Sequence, residues 1–418
     1  MDIKSLYELY SKNYLVDTDT RKIRNESVFF ALKGDNFNGN EFAETAIKNG
    51  ASFAVIDEKK YEIKNKTILV ENVLETLQQL ATYHREKLKC PIISLTGSNG
   101  KTTTKELINV VLSKKYTTTS TIGNLNNHIG VPLTLLSMTP KTEIGIVEMG
   151  ANHLNEIAFL SELAKPNFGY ITNFGKAHLE GFGSVEGVIK GKSELYDFLR
   201  KTNGKTFINP EDKKQLEQSK EIEQIKFHKN ICFIEANPFV QLEFEGLTIK
   251  SNLIGKYNFN NIAAAITIGN YFNVTSSLIN EAIENYIPTN NRSQIITKNS
   301  NKFILDAYNA NPSSMKVALE NFNELKDKQK IVVLGDMFEL GSESKNEHQI
   351  IAQLAENYKF KSVYLIGKAF STITVKNAFV YDSFNSFQKS FSSKGLKNST
   401  ILIKGSRGMA LERILSLF

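Results

Sequence analysis

The sequence predicts an α/β protein built from three units, and three observations carry that reading. Short apolar runs of strand length alternate along the chain with stretches whose apolar residues recur at helical spacing. One apolar run, Ile92 to Thr96, breaks into a glycine-bearing turn that leads straight into a helical stretch. The length of 418 residues exceeds one ordinary core and suits two or three domains. Strands alternating with helices favour parallel sheets covered on both faces.

The first unit, residues 1–88, is a small α/β domain. Its signals are the strand Ser27 to Leu32, the turn Lys33-Gly34-Asp35-Asn36, a helix from about Glu41 to Asn49 and the strand Ser52 to Ile56. Val70 to Leu88 reads as a helix running into the next unit, which places a boundary near Lys89.

The second unit, residues 89–294, carries the glycine turn and the strands Ile144 to Met149 and Phe168 to Asn173. A parallel sheet flanked by helices is expected here. Residues 205–250 read as an antiparallel patch, from alternating runs such as Ile231-Cys232-Phe233-Ile234, and a helix from Asn258 to Tyr271 closes the unit. The third unit, residues 295–418, shows strands at Phe303 to Asp306, Ile331 to Gly335, Ser362 to Ile366 and Thr400 to Ile403. This is the pattern of a Rossmann-like α/β domain.

Composition narrows the class. A hydrophobic share of 41% with 23% charged residues is that of a globular chain. No apolar run approaches the roughly 18 residues of a membrane helix. Charges run through the N-terminal segment where a signal peptide would be apolar, so a cytoplasmic protein without membrane insertion is expected. Cys90 and Cys232 are too few for a disulfide framework, and both are expected as buried thiols. The net charge of +7 is scattered, with no basic block, which argues against nucleic-acid binding.

The turn Thr96-Gly97-Ser98-Asn99-Gly100-Lys101-Thr102-Thr103 points to phosphate. Its glycines let successive N–H groups turn inward, Lys101 adds a cation, and the Thr102 hydroxyl suits a magnesium ion on a nucleotide. The common phosphate loop places four residues between its glycines; here Gly97 and Gly100 enclose two. ATP or GTP is the expected ligand.

Other candidates sit at strand ends, where parallel sheets bind ligands. Glu148 could hold magnesium or merely cap a helix. His178, in a loop after Phe168 to Asn173, could approach a metal or phosphate or be structural. Lys192 and Glu194 read, by patterning alone, as a solvated helix face. Asp306 to Met315 could face a ligand or build a turn and cap the next helix, and Gly335 to Gly341 ends its strand in the same polar way.

These residues resemble the Mur ligases of bacterial cell-wall synthesis along the whole chain. The phosphate turn is similar to theirs and to that of folylpolyglutamate synthases. Glu148-Met149-Gly150-Ala151-Asn152-His153, Ala177-His178-Leu179-Glu180-Gly181-Phe182-Gly183-Ser184, Asp306-Ala307-Tyr308-Asn309-Ala310-Asn311-Pro312 and Lys404-Gly405-Ser406-Arg407-Gly408-Met409 look like the dipeptide-adding member, and Thr18-Asp19-Thr20-Arg21 and Phe29 to Gly34 like the family's UDP-sugar domain. An Asp-Asn-Pro-Arg motif, carried by the diaminopimelate-adding relatives, is absent. Two departures stand out: Thr20 replaces a common serine, and Asn38-Gly39-Asn40 replaces Asp-Gly-His.

The resemblance implies an ATP- and Mg2+-dependent acid–amino ligase, acting as a monomer, that joins D-alanyl-D-alanine to a UDP-N-acetylmuramoyl tripeptide through an acyl phosphate. It further implies catalytic roles for Lys101, His178 and Lys192, the last as a carbamylated metal ligand. Gly97, Ser98, Asn99, Gly100, Lys101, Thr102 and Thr103 would cradle ATP, with Asn261 at the adenine, Arg292 at phosphate and Asp306 at the ribose. Thr102, Glu148, His178 and Lys192 would hold metal, Thr20 and Arg21 the UDP substrate, and Tyr308, Asn309 and Asn311 the dipeptide in the C-terminal unit. Three alternatives remain: another ligase of this or the folylpolyglutamate-synthase type, a P-loop phosphotransferase or ATP-driven machine, and a non-catalytic nucleotide-binding scaffold.

Overall fold

In the computed structural model, which describes residues 1–288, 292–393 and 396–418, three mainly parallel sheets follow one another along the chain. The first pairs Val16–Asp17, Val28–Phe30, Phe53–Ile56 and Thr67–Leu69 side by side, all parallel.

The second sheet has six parallel strands. The phosphate strand Ile92–Thr96 lies between Phe168–Ile171 and Ile144–Glu148, with Thr118–Ser120 beyond the latter and Lys205–Ile208 and Glu223–Lys226 beyond the former. Every residue of Ile92–Thr96 and Ile144–Glu148 is buried, as expected of strands covered on both faces. From the central strand the chain goes first to one side and later to the other, so a crevice opens at its carboxyl end.

The region 205–250 departs from the expected antiparallel patch. Its first half extends the parallel sheet, and antiparallel pairing joins only Ile231–Ala236, Phe239–Phe244 and Leu247–Ile254. Short alternating runs cannot reveal their partners, because a half-buried strand alternates whichever direction its neighbour takes. Cys232 corrects a second expectation: it is exposed, whereas Cys90 is buried. On Ile231–Ala236, Ile231 and Phe233 turn inward and Cys232 takes the opposite face.

The third sheet runs Gln294–Lys298, Asn301–Asp306, Thr400–Lys404, Lys330–Gly335, Ser362–Ile366 and Phe379–Tyr381. Its first pair is antiparallel and the others are parallel. Thr400–Lys404 at its middle sets Lys404 beside Asp306.

The helix Val73–Lys87 joins the first two units. Asn72 caps it by accepting the Glu75 N–H at 3.1 Å, and Val73, Leu77, Leu80, Ala81 and His84 form its buried stripe. Arg85 then donates through Nε to Ala164 O and through a terminal nitrogen to Lys165 O, both at 2.9 Å. A guanidinium at the C-terminal carbonyls of the helix Glu156–Ala164 answers both their unmet acceptors and the negative end of the helix dipole.

Candidate active site

The phosphate turn owes its shape to two glycines. Gly97 has φ +143°, and a Cβ there would lie 2.0 Å from Thr172 Oγ1; Gly100 has φ +79°, with Asn261 Oδ1 2.8 Å from where its Cβ would be. The turn is tied to the end of the neighbouring strand. Ser98 N donates to Asn173 O at 3.0 Å, and Asn99 O accepts from Thr172 Oγ1 at 2.6 Å and Asn173 Nδ2 at 3.0 Å. The helix Lys101–Leu112 starts immediately after Gly100, directing unpaired N–H groups and its positive dipole end at the crevice.

Lys101 Nζ donates to Gly97 O at 2.7 Å, folded back over the turn. Burial pushes its pKa down, Glu148 opposes that, and Arg292 adds to the drop. Lys101 is half-buried at the mouth of the helix, where its side chain can meet an anion in the crevice.

Glu148 ends the strand Ile144–Glu148 and is 1% exposed. Its Oε1 accepts from Thr102 Oγ1 at 3.1 Å and from Asn126 Nδ2 at 2.7 Å. Its Oε2 is buried with no hydrogen-bond partner among the described residues. An unmet buried acceptor costs about 1–3 kcal/mol, more when charged, so this oxygen fits a cation. No group of three or more His, Cys, Asp or Glu that could hold a metal occurs among the described residues. The Thr102 hydroxyl and Glu148 Oε2 together fit magnesium, which takes one or two protein ligands and completes its shell with water and phosphate oxygens.

The solvated face expected for Lys192 and Glu194 is overturned. Lys192 is 0% exposed in the helix Val185–Lys201, its Nζ donating to Ala151 O at 3.0 Å and lying 4.9 Å from the Phe182 ring centroid. Burial, reinforced by Lys101, holds its pKa well below the ordinary lysine range. Glu194 receives Asn155 N–H at 2.7 Å and Ala158 N–H at 2.9 Å, so it caps the helix Glu156–Ala164. The signal was present: Val188, Lys192, Leu195 and Leu199 recur at helical spacing, and Lys192 falls inside that stripe.

His178 adopts φ +52° in the loop after Phe168–Ile171, with Nδ1 2.5 Å from Glu339 Oε2 of the third unit. Contact with that imidazole holds the Glu339 carboxyl below its ordinary pKa. Across the crevice, Asp306 Oδ2 accepts from Lys404 Nζ at 2.6 Å, and Lys404 also reaches Asn309 O at 3.2 Å. The Arg292 guanidinium lies 3.6 Å over the Tyr308 ring, and Arg292 Nε is buried with no hydrogen-bond partner among the described residues.

These groups line one cavity of about 1300 Å³. Ser98 to Thr103, Glu148, His178 and Asn261 form the central unit's side; Arg292, Asp306, Tyr308, Asn309 and Asn311 form the other. Lys192 stands behind that wall, against the Ala151 carbonyl. Asn261 braces the phosphate turn, accepting from Thr104 Oγ1 at 3.1 Å and donating to Asn258 Oδ1 at 2.7 Å, which leaves one N–H and one lone pair.

Asn311, on the wall of this cavity, also has structural partners. Its Oδ1 caps the helix Pro312–Glu324 through Ser314 N at 2.9 Å, and its Nδ2 donates to Asn99 Oδ1 at 2.8 Å, so its amide serves the junction between units. Thr20 and Arg21 sit on the first unit outside this cavity, Arg21 exposed and paired with Asp19 at 2.8 Å. Asn40 is buried and exchanges hydrogen bonds with Asp57 at 2.8 and 3.0 Å, so the altered Asn-Gly-Asn turn is held internally. Sequence reasoning missed Asn126, which stands in no periodic pattern, and gave no site role to Lys404, although it opens the Lys404–Met409 motif and ends the buried strand Thr400–Lys404.

Profiles of known families match all three units: the Mur ligase middle domain over residues 95–269, the Mur ligase glutamate ligase domain over 291–407, and the Mur ligase family catalytic domain over 13–85. The UDP-N-acetylmuramoyl-tripeptide--D-alanyl-D-alanine ligase of Bacillus subtilis is 34% identical, covering 96% of this chain and 92% of its own. That of Escherichia coli is 32% identical with the same coverage. MurF from Acinetobacter baumannii superposes with a TM-score of 0.84 at 29% identity, covering 96% of this chain and 92% of that one. MurF ligase from Thermotoga maritima, in complex with ADP, gives 0.84 at 27% identity over 97% and 96%. With relatives aligned nearly end to end and a phosphate turn facing a second polar sheet edge, the chain belongs to the Mur ligase family.

Proposed function

We infer that this chain is an ATP-dependent ligase that adds D-alanyl-D-alanine to a UDP-N-acetylmuramoyl tripeptide, a step in making peptidoglycan precursors. The observation that carries the reading is the single cavity in which the phosphate turn and Glu148 face Arg292, Asp306 and Tyr308. It suits a reaction that must bring a triphosphate and two further substrates together.

A carboxylate is a poor electrophile until one of its oxygens becomes a leaving group. The terminal carboxylate of the tripeptide attacks the γ-phosphorus of ATP, ADP departs, and an acyl phosphate forms. The dipeptide amine then attacks the acyl carbon, and phosphate leaves from the tetrahedral intermediate with loss of the amine proton. Such chemistry depends on alignment and charge neutralisation, and this site offers cations and oriented amides without a side-chain nucleophile.

The roles we assign follow from placement. The N–H groups of the turn and Lys101 bind the β- and γ-phosphates, and Arg292 reaches the same charge from the other side. Asn261 uses its remaining N–H and lone pair on the adenine edge, and Asp306, oriented by Lys404, takes the ribose. Magnesium would be held by Thr102 and Glu148, with His178 and a carbamylated Lys192 at a second ion, and when bound it supplies neutralisation of the triphosphate charge. Burial shifts Lys192 toward the free amine that carbamylation by carbon dioxide requires. Tyr308, Asn309 and Asn311 face the dipeptide, and Thr20 and Arg21 face the UDP moiety. We place the reaction in the cytoplasm and the enzyme as a monomer; no helix among the described residues is long and apolar enough to cross a membrane.

The test is phosphate release from ATP with each substrate present or withheld. Release is expected only when both the UDP-muramoyl tripeptide and D-alanyl-D-alanine are supplied, with the joined product detected by mass. Turnover indifferent to both would replace this reading with an ATP-driven machine.

A further inference from the structure

One loop joins the phosphate turn to the C-terminal unit. Residues 173–183 begin at the turn, where Asn173 accepts the Ser98 N–H at 3.0 Å and Gly175 O accepts from Ser98 Oγ at 2.7 Å. The loop then crosses the junction. Lys176 N donates to Ser313 Oγ at 2.8 Å, Glu180 N donates to Glu339 O at 3.1 Å, and Lys176 Nζ bonds Glu347 Oε1 at 2.5 Å.

The last pair is unequal in a telling way. The Glu347 side chain, in the first turn of the helix Ser344–Asn357, is 5% exposed, whereas Lys176 is 45% exposed. A carboxylate so buried is expensive without a countercharge, and the ammonium that meets it comes from the other unit. The pair is therefore satisfied only in one seating of the C-terminal unit on the loop. An ion pair with fixed partners specifies that register where apolar contact would tolerate sliding.

We propose that Lys176 and Glu347 are positioning residues for the ligation step: their bond across the junction seats the C-terminal unit so that the incoming amine lines up with the activated carboxyl. Neither side chain touches reacting atoms. They act through the loop that leaves the phosphate turn and through the helices that begin at Pro312 and Ser344. The proposal rests on the ligase reading above.

The test compares Lys176→Met, Lys176→Arg, Glu347→Gln and the double variant Lys176→Met/Glu347→Gln, with ADP affinity measured beside steady-state kinetics. ADP affinity is expected within twofold of wild type throughout. In Lys176→Met and Glu347→Gln, kcat/KM for D-alanyl-D-alanine is expected to fall on the order of tenfold or more, since small misalignments of reacting groups carry large rate penalties. Lys176→Arg should retain most of the activity, and the double variant should lose no more than the worse single variant, because no charge is left buried and unpaired. Lys176 is half-exposed on a loop, so Lys176→Met decides the matter even if Glu347→Gln does not fold. Dipeptide kinetics within twofold of wild type in Lys176→Met, or losses that multiply in the double variant, would overturn the proposal. A wild-type enzyme that releases no phosphate with both substrates present would instead remove the ligase reading itself.

Discussion

The guanidinium of Arg292 lies 3.6 Å over the ring of Tyr308, with its Nε buried and without a hydrogen-bond partner among the described residues. The ring fixes the plane of the cation while its donors stay available, an arrangement suited to an incoming phosphate. Arg292→Lys keeps the charge and loses the stacked plane. The KM for ATP is expected to rise about tenfold with a smaller change in kcat, measured at saturating tripeptide and dipeptide.

Glu148 shows the opposite situation, an anion awaiting a cation. Glu148→Gln removes a buried charge whose second oxygen has no partner among the described residues. The variant is expected to melt at or above the wild-type temperature without ligands, while activity falls at least about a hundredfold. Thermal unfolding and phosphate release on the same preparation check both halves; a clear loss of stability would show that Oε2 is satisfied within the protein.

Lys101→Ala is expected to abolish phosphate release, by about a hundredfold or more, in a protein that still folds. The lysine contacts the Gly97 carbonyl of its own turn, so its removal leaves no apolar cavity in a core. Near-normal turnover in a folded variant would sink its role at the phosphates.

Acid should loosen the joint between the first two units. His84 is 1% exposed, with Nε2 3.0 Å from Met138 O and Nδ1 buried without a partner among the described residues. Burial, opposed by the Met138 contact, holds its pKa below the ordinary value of about 6.5. The unfolded chain therefore binds more protons here than the folded one. This stability is complete above about pH 6.5 and is lost as pH falls from there toward the folded pKa. Burial also lowers His348, so His84→Gln should shrink the loss of denaturant midpoint between pH 7.5 and 5.5 without erasing it. An unchanged pH slope in the variant would assign the acid sensitivity elsewhere.

Much of the site could be read along the chain because it is local. The turn from Gly97 to Gly100 announces itself: only glycines fit its φ values and close approaches, and an apolar strand and a helix flank it. Lys192 and Glu194 were legible in principle, yet their charge outweighed a helical stripe that places them indoors. Cys232 and the 205–226 strands were misjudged because alternation says that a strand has two faces, and leaves its partner and its covered face open.

By itself, then, the sequence determined the order of strands and helices, the phosphate turn and the family, since backbone preference and side-chain periodicity act over a few residues. The tertiary structure alone decided that Asn126 would hold Glu148, that Lys404 would orient Asp306 from 98 residues away, and that Lys176 would meet Glu347 across 171. Those pairings depend on strand order and on how two units are apposed. Burial turns each of them from a weak surface contact into a bond that must be made, and burial is a property of the whole fold.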